Sequence, residues 1–366
     1  MEALAALAQQ WQTLFANATR HSAFQSLCWL RSWWQTLGRS AGWHLWVVTV
    51  YEHDKPVLFW PLVHRRSGIW RIATWPAAET GQYGDILCPC REERLPWIES
   101  AWEFITRHSG FDIITLPAVR SASYLGHFLE QKRIPAQETA FAPVFDISTL
   151  EDPQQWEQLQ KRSFRKDLRR RRRRLAELGE VRFELLSNAG EIANAIPVSI
   201  QQKQAWFEAR KLYGRFIEHH RASEWLTRAA LGAQADDRLV YAVLKLDGRI
   251  IASNLGFTSH GRLYNYFGSF DLDLQRCSPG NILTQDLLQW AIDNGIQQFD
   301  LMPPNDAYKS SWANSELAVS SYRLGIGLKG RIADWHHHPA LRSAGLRCYR
   351  SLPRSLRKMA AQWVGG

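Results

Sequence analysis

The chain reads as an α+β protein with two domains of similar layout, and three observations carry that expectation. Its 366 residues are enough for two domains of ordinary size. An apolar fraction of 45% allows each to bury a core. The same alternation of strand-like and helix-like runs is met twice along the chain. The expected division is 1–148, 149–330 and a tail at 331–366.

In the first half, Leu14, Phe24, Leu27, Leu30, Trp33, Trp34 and Leu37 fall near helical spacing. "WHLWVVTV" (43–50) and "KPVLFWPLVHRR" (55–66) flank the turn signal "EHDKP" and predict a hairpin, with "IWRIATW" (69–75) as a third strand. A helix is expected over 93–108, where Pro96 lies near its start, then a strand at 111–117, a helix over 121–131 and a strand at 140–148. The second half opens on "PQQWEQLQKRSFRKDLRRRRRRLAELG", read as one long helix closed by Gly179 as a C′ residue. A strand at 181–187 follows, then helices over 189–211 and 222–233. Three strands fill 238–270, with turns at Asp247-Gly248 and His260-Gly261. A helix over 281–293, a strand in "IQQFDLMP" and a last strand in "AVSSYRLG" complete the pattern.

The formal net charge of +10 points to an anionic partner: nucleic acid, phospholipid headgroups or a phosphate-bearing small molecule. Eighteen tryptophans spread along the chain predict large aromatic cores. Five cysteines lack zinc-ribbon spacing, and the odd number argues against a secreted disulfide framework, so no metal is expected. The adjacent histidines His219-His220 and 336–338 cannot share a helix face as a metal pair would. "MEALAALAQQWQTLF" lacks a basic n-region, and no stretch of 18 uncharged apolar residues occurs. A cytoplasmic, reduced protein is expected.

Arg169 to Arg174 are six consecutive arginines. Phe164, Leu168, Leu175 and Leu178 form one helical stripe through them, so the run reads as a structural helix with a basic face, Arg171 or Arg172 crossing the stripe by its aliphatic stem. A disordered nucleic-acid arm would not need the leucines, and specific nucleic-acid recognition is not expected, since no known motif accompanies the run. A face touching anionic lipid or a polyanionic substrate is the functional alternative.

The chemistry-bearing stretch is "YNYFGSFDLDLQRCSPGNILTQDLLQWAIDNG", in which a strand, a polar loop and a helix follow one another. Ser278 is placed to cap, Pro279 presets φ, and Gly280 admits a ligand to the backbone. A helix N-terminus is an anion site suited to a pyrophosphate, and Arg276 adds positive charge. Asp271 and Asp273 are the nearest acids, candidates for a base.

Gln275-Arg276-Cys277-Ser278-Pro279-Gly280 resembles the acyl-CoA pyrophosphate motif of the GNAT N-acetyltransferases, Gln/Arg-x-x-Gly-x-Gly/Ala, with Ser278 in place of the first glycine. "WLRSWWQTLG", "YGDILC", "SFRKDLRRRRRRLAELGEV", "LDGRIIASNLGF", "SPGNIL" and "FDLMPPNDAYKSSWA" occur in the order seen in the CelD/BcsL-like family, whose members have a BioF2-like acetyltransferase domain. The resemblance spans residues 20 to 325. It implies tandem GNAT-like domains, mixed sheets flanked by helices, similar to those of the Fem-type aminoacyltransferases, with the donor site in the second. It further implies acetyl-CoA or another acyl-CoA as donor. The pantetheine would lie along a splayed strand at Tyr264 to Phe270 and the pyrophosphate on Gln275, Arg276, Ser278, Gly280 and Asn281. Tyr308 would protonate the leaving thiolate, Lys309 would steady a phosphate or oxyanion, and Asp300 would orient either. Tyr83 and Asp85 match a family pattern placed toward the acceptor, and Trp312 would wall the acceptor pocket.

The expected activity is acyl transfer to an amine or hydroxyl of a saccharide or an envelope or exopolysaccharide precursor. The alternatives are a Fem-like enzyme using aminoacyl-tRNA and a non-catalytic scaffold binding polyanions through its basic faces. In the tail, Leu346, Tyr349, Leu352, Leu356, Met359 and Trp363 recur at helical spacing among Arg347, Arg350, Arg354, Arg357 and Lys358, a pattern for a basic amphipathic helix on the inner membrane face. A helix packed back on the domain fits the same spacing.

Overall fold

In a computed structural model, residues 4, 6–91, 94–236 and 238–335 are described. The tail positions from 336 onward lie outside them. The strands are β1 (His44–Glu52), β2 (Lys55–Ser67), β3 (Trp70–Thr74), β4 (Ile113–Arg120), β5 (Glu138–Asp146), β6 (Val181–Leu185), β7 (Leu239–Leu246), β8 (Arg249–Ser259), β9 (Arg262–Phe270), β10 (Gln298–Asp300) and β11 (Ser315–Gly325). The helices are α1 (Ala8–Asn17), α2 (Leu27–Trp33), α3 (Arg94–His108), α4 (Tyr124–Gln131), α5 (Arg162–Ala176), α6 (Ala189–Ala209), α7 (Ala222–Ala235), α8 (Pro279–Asp293), α9 (Ala307–Ser310) and α10 (Gly327–Trp335).

Two compact units form. The first takes residues 1–139, 211–216 and 319 onward; the second takes 140–210 and 217–318. This differs from a single cut at 148/149. β5 lies mostly in the second unit, and most of β11 returns to the first, where it pairs antiparallel with β4 from Val319↔Arg120 to Gly325↔Ile113. Such a return is a long-range pairing, invisible to any local pattern.

In the first unit the strand order is β1-β2-β3-β4-β11. One face packs on α3 and α4 through Trp60, Leu62, Ala73, Trp97, Ile98, Leu125 and Phe128. The other carries α1 and α2, with Trp11 stacked on Phe59 at 4.8 Å. In the second unit the order is β5-β10-β9-β8-β7-β6. Its core joins Ile251, Leu263 and Phe299 of the sheet to Ile282, Leu287 and Leu288 of α8 and Leu168 and Leu175 of α5. Both expected hairpin turns form with left-handed pairs, Asp247 and Gly248 at φ 48 and 80, His260 and Gly261 at φ 47 and 69. These are the backbone values a tight type I′ turn requires.

The arginine-rich segment departs from expectation in one respect. The long helix is broken: a 3-10 stretch, Pro153–Leu159, is capped by the Asp152 carboxylate, and α5 begins only after Lys161 at ψ 133. α5 ends at Ala176, so Leu178 falls beyond the stripe and is 54% exposed, and Gly179 lies past the cap rather than closing the helix. Leu168 and Leu175 are buried as the stripe predicts.

Candidate functional site

The second unit's sheet opens at β9. β10 runs parallel to it over only three pairs, Gln298↔Arg262, Phe299↔Leu263 and Asp300↔Tyr264, while β9 continues to Phe270. On its other side β9 stays paired with β8, apart from a register shift between Leu255 and Phe257. Gly256 sits in that bulge. A Cβ there would lie 2.8 Å from the Tyr264 carbonyl oxygen, so only glycine lets the two backbones approach where the strand bends. Past Tyr264, β9 therefore offers a backbone edge from which its parallel neighbour has departed, and a peptide-like ligand can hydrogen-bond there.

The loop after β9 turns on Asp271, whose carboxylate accepts the Asp273 N–H at 3.0 Å. Ser278 is left-handed at φ 48, Pro279 opens α8, and a Cβ on Gly280 would be 3.7 Å from the Phe270 ring. The N-terminus of α8 thus begins beside the last residue of β9. Helix-start N–H groups and the helix dipole favour an anion there. Ser278 makes no side-chain cap. Its left-handed backbone turns the hydroxyl toward α5, where Arg171 donates to Oγ and, at 3.4 Å, to the Arg276 carbonyl.

α5 packs its arginines unequally. Arg171 Nε also holds Asp167 at 2.5 Å, and Arg172 pairs with Asp286 of α8 at 2.5 Å. Burial pushes the Asp286 carboxyl up, against the pull of Arg172. Arg162, Arg165, Lys166, Arg169 and Arg173 line the outer, solvent-open side.

Each expected site residue has a definite place. Gln275 and Arg276 are exposed at the loop, and the Gln275 carbonyl accepts the Ser278 N–H. The Asn281 side chain accepts the Trp312 indole N–H at 3.0 Å. Trp312 is itself fully buried, edge-on to Phe164 at 5.1 Å and 6.2 Å from Trp156, which makes it a core residue rather than a pocket wall. Asp271 is engaged at both oxygens, by the Asp273 N–H and by Arg249 at 2.7 Å, so it is bound up in the turn rather than placed as a base. Asp300 is wholly buried, paired with Arg262 at 3.0 Å and accepting the Met302 N–H.

Tyr308 is 38% exposed as a residue, yet its hydroxyl points inward, 2.5 Å from Thr284 Oγ1 on α8. Burial of that hydroxyl pushes its pKa up to about 12, so it stays protonated at neutral pH. Lys309 Nζ donates to the Met302 carbonyl at 2.8 Å, and burial lowers its pKa while Asp306 and Asp300 oppose the shift.

One group had no sequence signal. Lys203, on α6, donates from Nζ to the Gly268 carbonyl of β9 at 3.0 Å, under the rings of Trp206 (5.1 Å) and Phe267 (5.9 Å). Burial, then the nearby Lys309, lower its pKa to about 8. It is one polar residue among several in "SIQQKQAWFEARK", and only the packing of α6 on β9 distinguishes it. Deeper, Ser199 joins Tyr241 (2.7 Å) and Ser253 (2.6 Å), and Ser253 joins Ser269 (2.9 Å), a hydroxyl chain that pins α6 to the sheet.

Tyr83 and Asp85 lie in the first unit and are buried, so within that unit they face no open cleft. The Tyr83 carbonyl accepts from Gln25 at 3.0 Å. Asp85 accepts the Ile86 N–H at 2.8 Å and faces Arg120 at 3.5 Å. Burial outweighs Arg120 and lifts its pKa to about 7. The adjoining cavity of about 20 Å³ has room for a single water.

Residues 162–310 match the model of the acetyltransferase (GNAT) domain. That stretch lies almost wholly within the second unit and includes α5, the β9–α8 loop and Tyr308. The fold is GNAT-like, a mixed sheet flanked by helices. Among solved structures, FemX is similar with a TM-score of 0.59 at 9% identity, over 85% of this chain and 95% of that one. The C-terminal domain of an Agrobacterium fabrum protein described as a lysylphosphatidylglycerol synthetase is similar with a TM-score of 0.57 at 16% identity, over 90% of this chain and 94% of that one. At these identities the likeness is one of fold. No curated protein matches the sequence. Among the described residues no helix is long and apolar enough to cross a membrane, and no cluster of three or more His, Cys, Asp or Glu is placed to hold a metal ion.

Proposed function

We propose that the second unit is an acyltransferase whose donor is an acyl-CoA laid along β9 from Asn265 to Phe270. The observation that carries this reading is the loss of β9's parallel partner after Tyr264, with a helix N-terminus beginning beside Phe270. The pantetheine amides would pair with the open strand edge, and the pyrophosphate would sit at Ser278–Gly280 with Arg276 and Arg171 at its rim. A neutral amine or a hydroxyl of the acceptor attacks the thioester carbonyl, and a strand N–H supports the oxyanion. The acceptor nitrogen or oxygen bonds to the acyl carbon, the C–S bond breaks, and the acceptor's proton passes to a base. Lys203 is the best placed candidate: its amine is partly neutral near pH 8 and lies on the open part of β9. Tyr308 delivers its proton to the departing thiolate. Lys309 and Asp300 position the segment that carries Tyr308.

The acceptor class, a saccharide or envelope precursor, rests on the CelD/BcsL-like resemblance, and a location at the inner membrane face rests on the basic amphipathic pattern of the tail. An aminoacyl-tRNA donor is the second reading, favoured by the row of solvent-open cations along the outer side of α5. The deciding experiment is calorimetry with acetyl-CoA, using the native chain, Gly280→Ala and Gly280→Trp. The alanine meets only an ordinary contact with Phe270, so its fold is retained. Saturable binding that the tryptophan abolishes supports the acyl-CoA site. No binding of acetyl-CoA, longer acyl-CoAs or CoA rejects it.

A further inference from the structure

The first unit carries a group of basic side chains that the acyl-transfer reading does not use. β1 and β2 pair with His44 directly opposite His64, and β2 and β3 pair with Arg66 directly opposite Arg71. His64 and Arg66 are two residues apart on one strand, so all four side chains leave the same face of the sheet. The His44 and His64 rings stack at 5.3 Å, and His64 and Arg71 both meet the ring of Phe111, at 5.3 and 6.0 Å. With Gly42 they border an open hollow of about 550 Å³, whose lining carries no carboxylate among the described residues. The nearby Asp112 is occupied elsewhere, accepting the Arg71 backbone N–H at 2.7 Å and the Lys329 ammonium at 3.2 Å.

Like charges directly opposite in a sheet are destabilising. Arg66 and Arg71 are such a pair, with His44 and His64 beside them on the same face and no carboxylate in the lining, an arrangement that a bound anion would relieve. Burial, then His44 and Arg71, hold the His64 pKa below the ordinary histidine value, and an anion in the hollow would oppose that shift. Two guanidinium forks and two imidazoles match the several acceptor oxygens of a phosphate group better than the two of a carboxylate.

We infer that this hollow on the β1–β2–β3 face is a binding site for a phosphomonoester, independent of the acyl-donor site in the second unit. The test follows the His44 and His64 ring signals by NMR in protein labelled at histidine, assigned with His44→Gln and His64→Gln. Inorganic phosphate and vesicles of phosphatidylcholine with or without phosphatidate are the probes, with chloride at matched ionic strength as control. Saturable shifts of both rings with phosphate are expected, with the His64 titration midpoint moving upward as the anion favours the imidazolium. Arg66→Gln, an exposed position whose substitution leaves the core intact, should weaken binding by roughly tenfold, the effect of losing one charge-assisted hydrogen bond. A response to phosphatidate vesicles but not to inorganic phosphate would identify a lipid headgroup as the source; a response to inorganic phosphate identifies a soluble phosphomonoester as sufficient. No response to either, shifts that chloride reproduces, or shifts unchanged in Arg66→Gln would overturn the inference.

Discussion

Asp85→Asn should change how the protein's stability depends on pH, and the structure sets the size of the change. Asp85 is 2% exposed, and burial lifts its carboxyl from an ordinary value of 3.8 to about 7 despite Arg120 at 3.5 Å. Below the unfolded value both states hold the proton and the group contributes no slope. As pH rises from there to about 7, the unfolded chain ionises while the folded one stays protonated, so unfolding releases a proton and stability falls. The slope approaches about 1.4 kcal/mol per pH unit, and over the whole interval the loss is about 4 kcal/mol. Above pH 7 it levels off. Asparagine keeps the shape and removes the titration. Urea unfolding followed by tryptophan fluorescence, at half-unit steps from pH 4.5 to 8, gives the difference between the two proteins. Stability of the variant relative to the native chain should rise steadily to about pH 7 and then flatten. A difference that stays constant across that range would refute the argument and mean that Arg120 keeps Asp85 ionised throughout.

Other outcomes follow from the same geometry. Lys203 should label with acetic anhydride along a titration centred near pH 8, below the ordinary lysine range, read by mass spectrometry of its peptide. If the proposed base is right, thiol release from acetyl-CoA in the presence of an acceptor should rise through pH 8 and lose that limb in Lys203→Met. Tyr308→Phe should slow thiol release while leaving acetyl-CoA affinity within about twofold, because an acid acts on the leaving group and not on binding. Trp312→Ala should destabilise the second unit by about 3–5 kcal/mol, measured by denaturation, since it empties a buried site between Phe164 and Trp156 and orphans Asn281.

Because amphipathic period, turn chemistry and capping act within a few residues, local patterns were enough for the strands and for most of the longer helices among the described residues, though not for the helices at 307–310 and 327–335. Asp247-Gly248 and His260-Gly261 carried the chemistry of tight turns, and Leu168 and Leu175 marked the buried side of an arginine-rich helix, whereas Leu178, read on the same stripe, lies beyond its end. The loop from Gln275 to Gly280 was legible for the same reason: a polar stretch ending in Ser-Pro-Gly starts a helix, and a helix start attracts anions. What the residues become once brought together was a different matter. Trp312 and Asp300 have the side chains of a site and the burial of a core, and only packing distinguishes the two. Lys203 is one polar residue among many until α6 lies on β9 and removes its ammonium from water. The Arg171 contact with Ser278 joins residues more than a hundred apart. The return of β11 to the first unit and the early end of β10 depend on long-range strand pairing. A sequence determines what each segment prefers locally, whereas burial and charge depend on which distant segments close over it, and only the tertiary structure decides that.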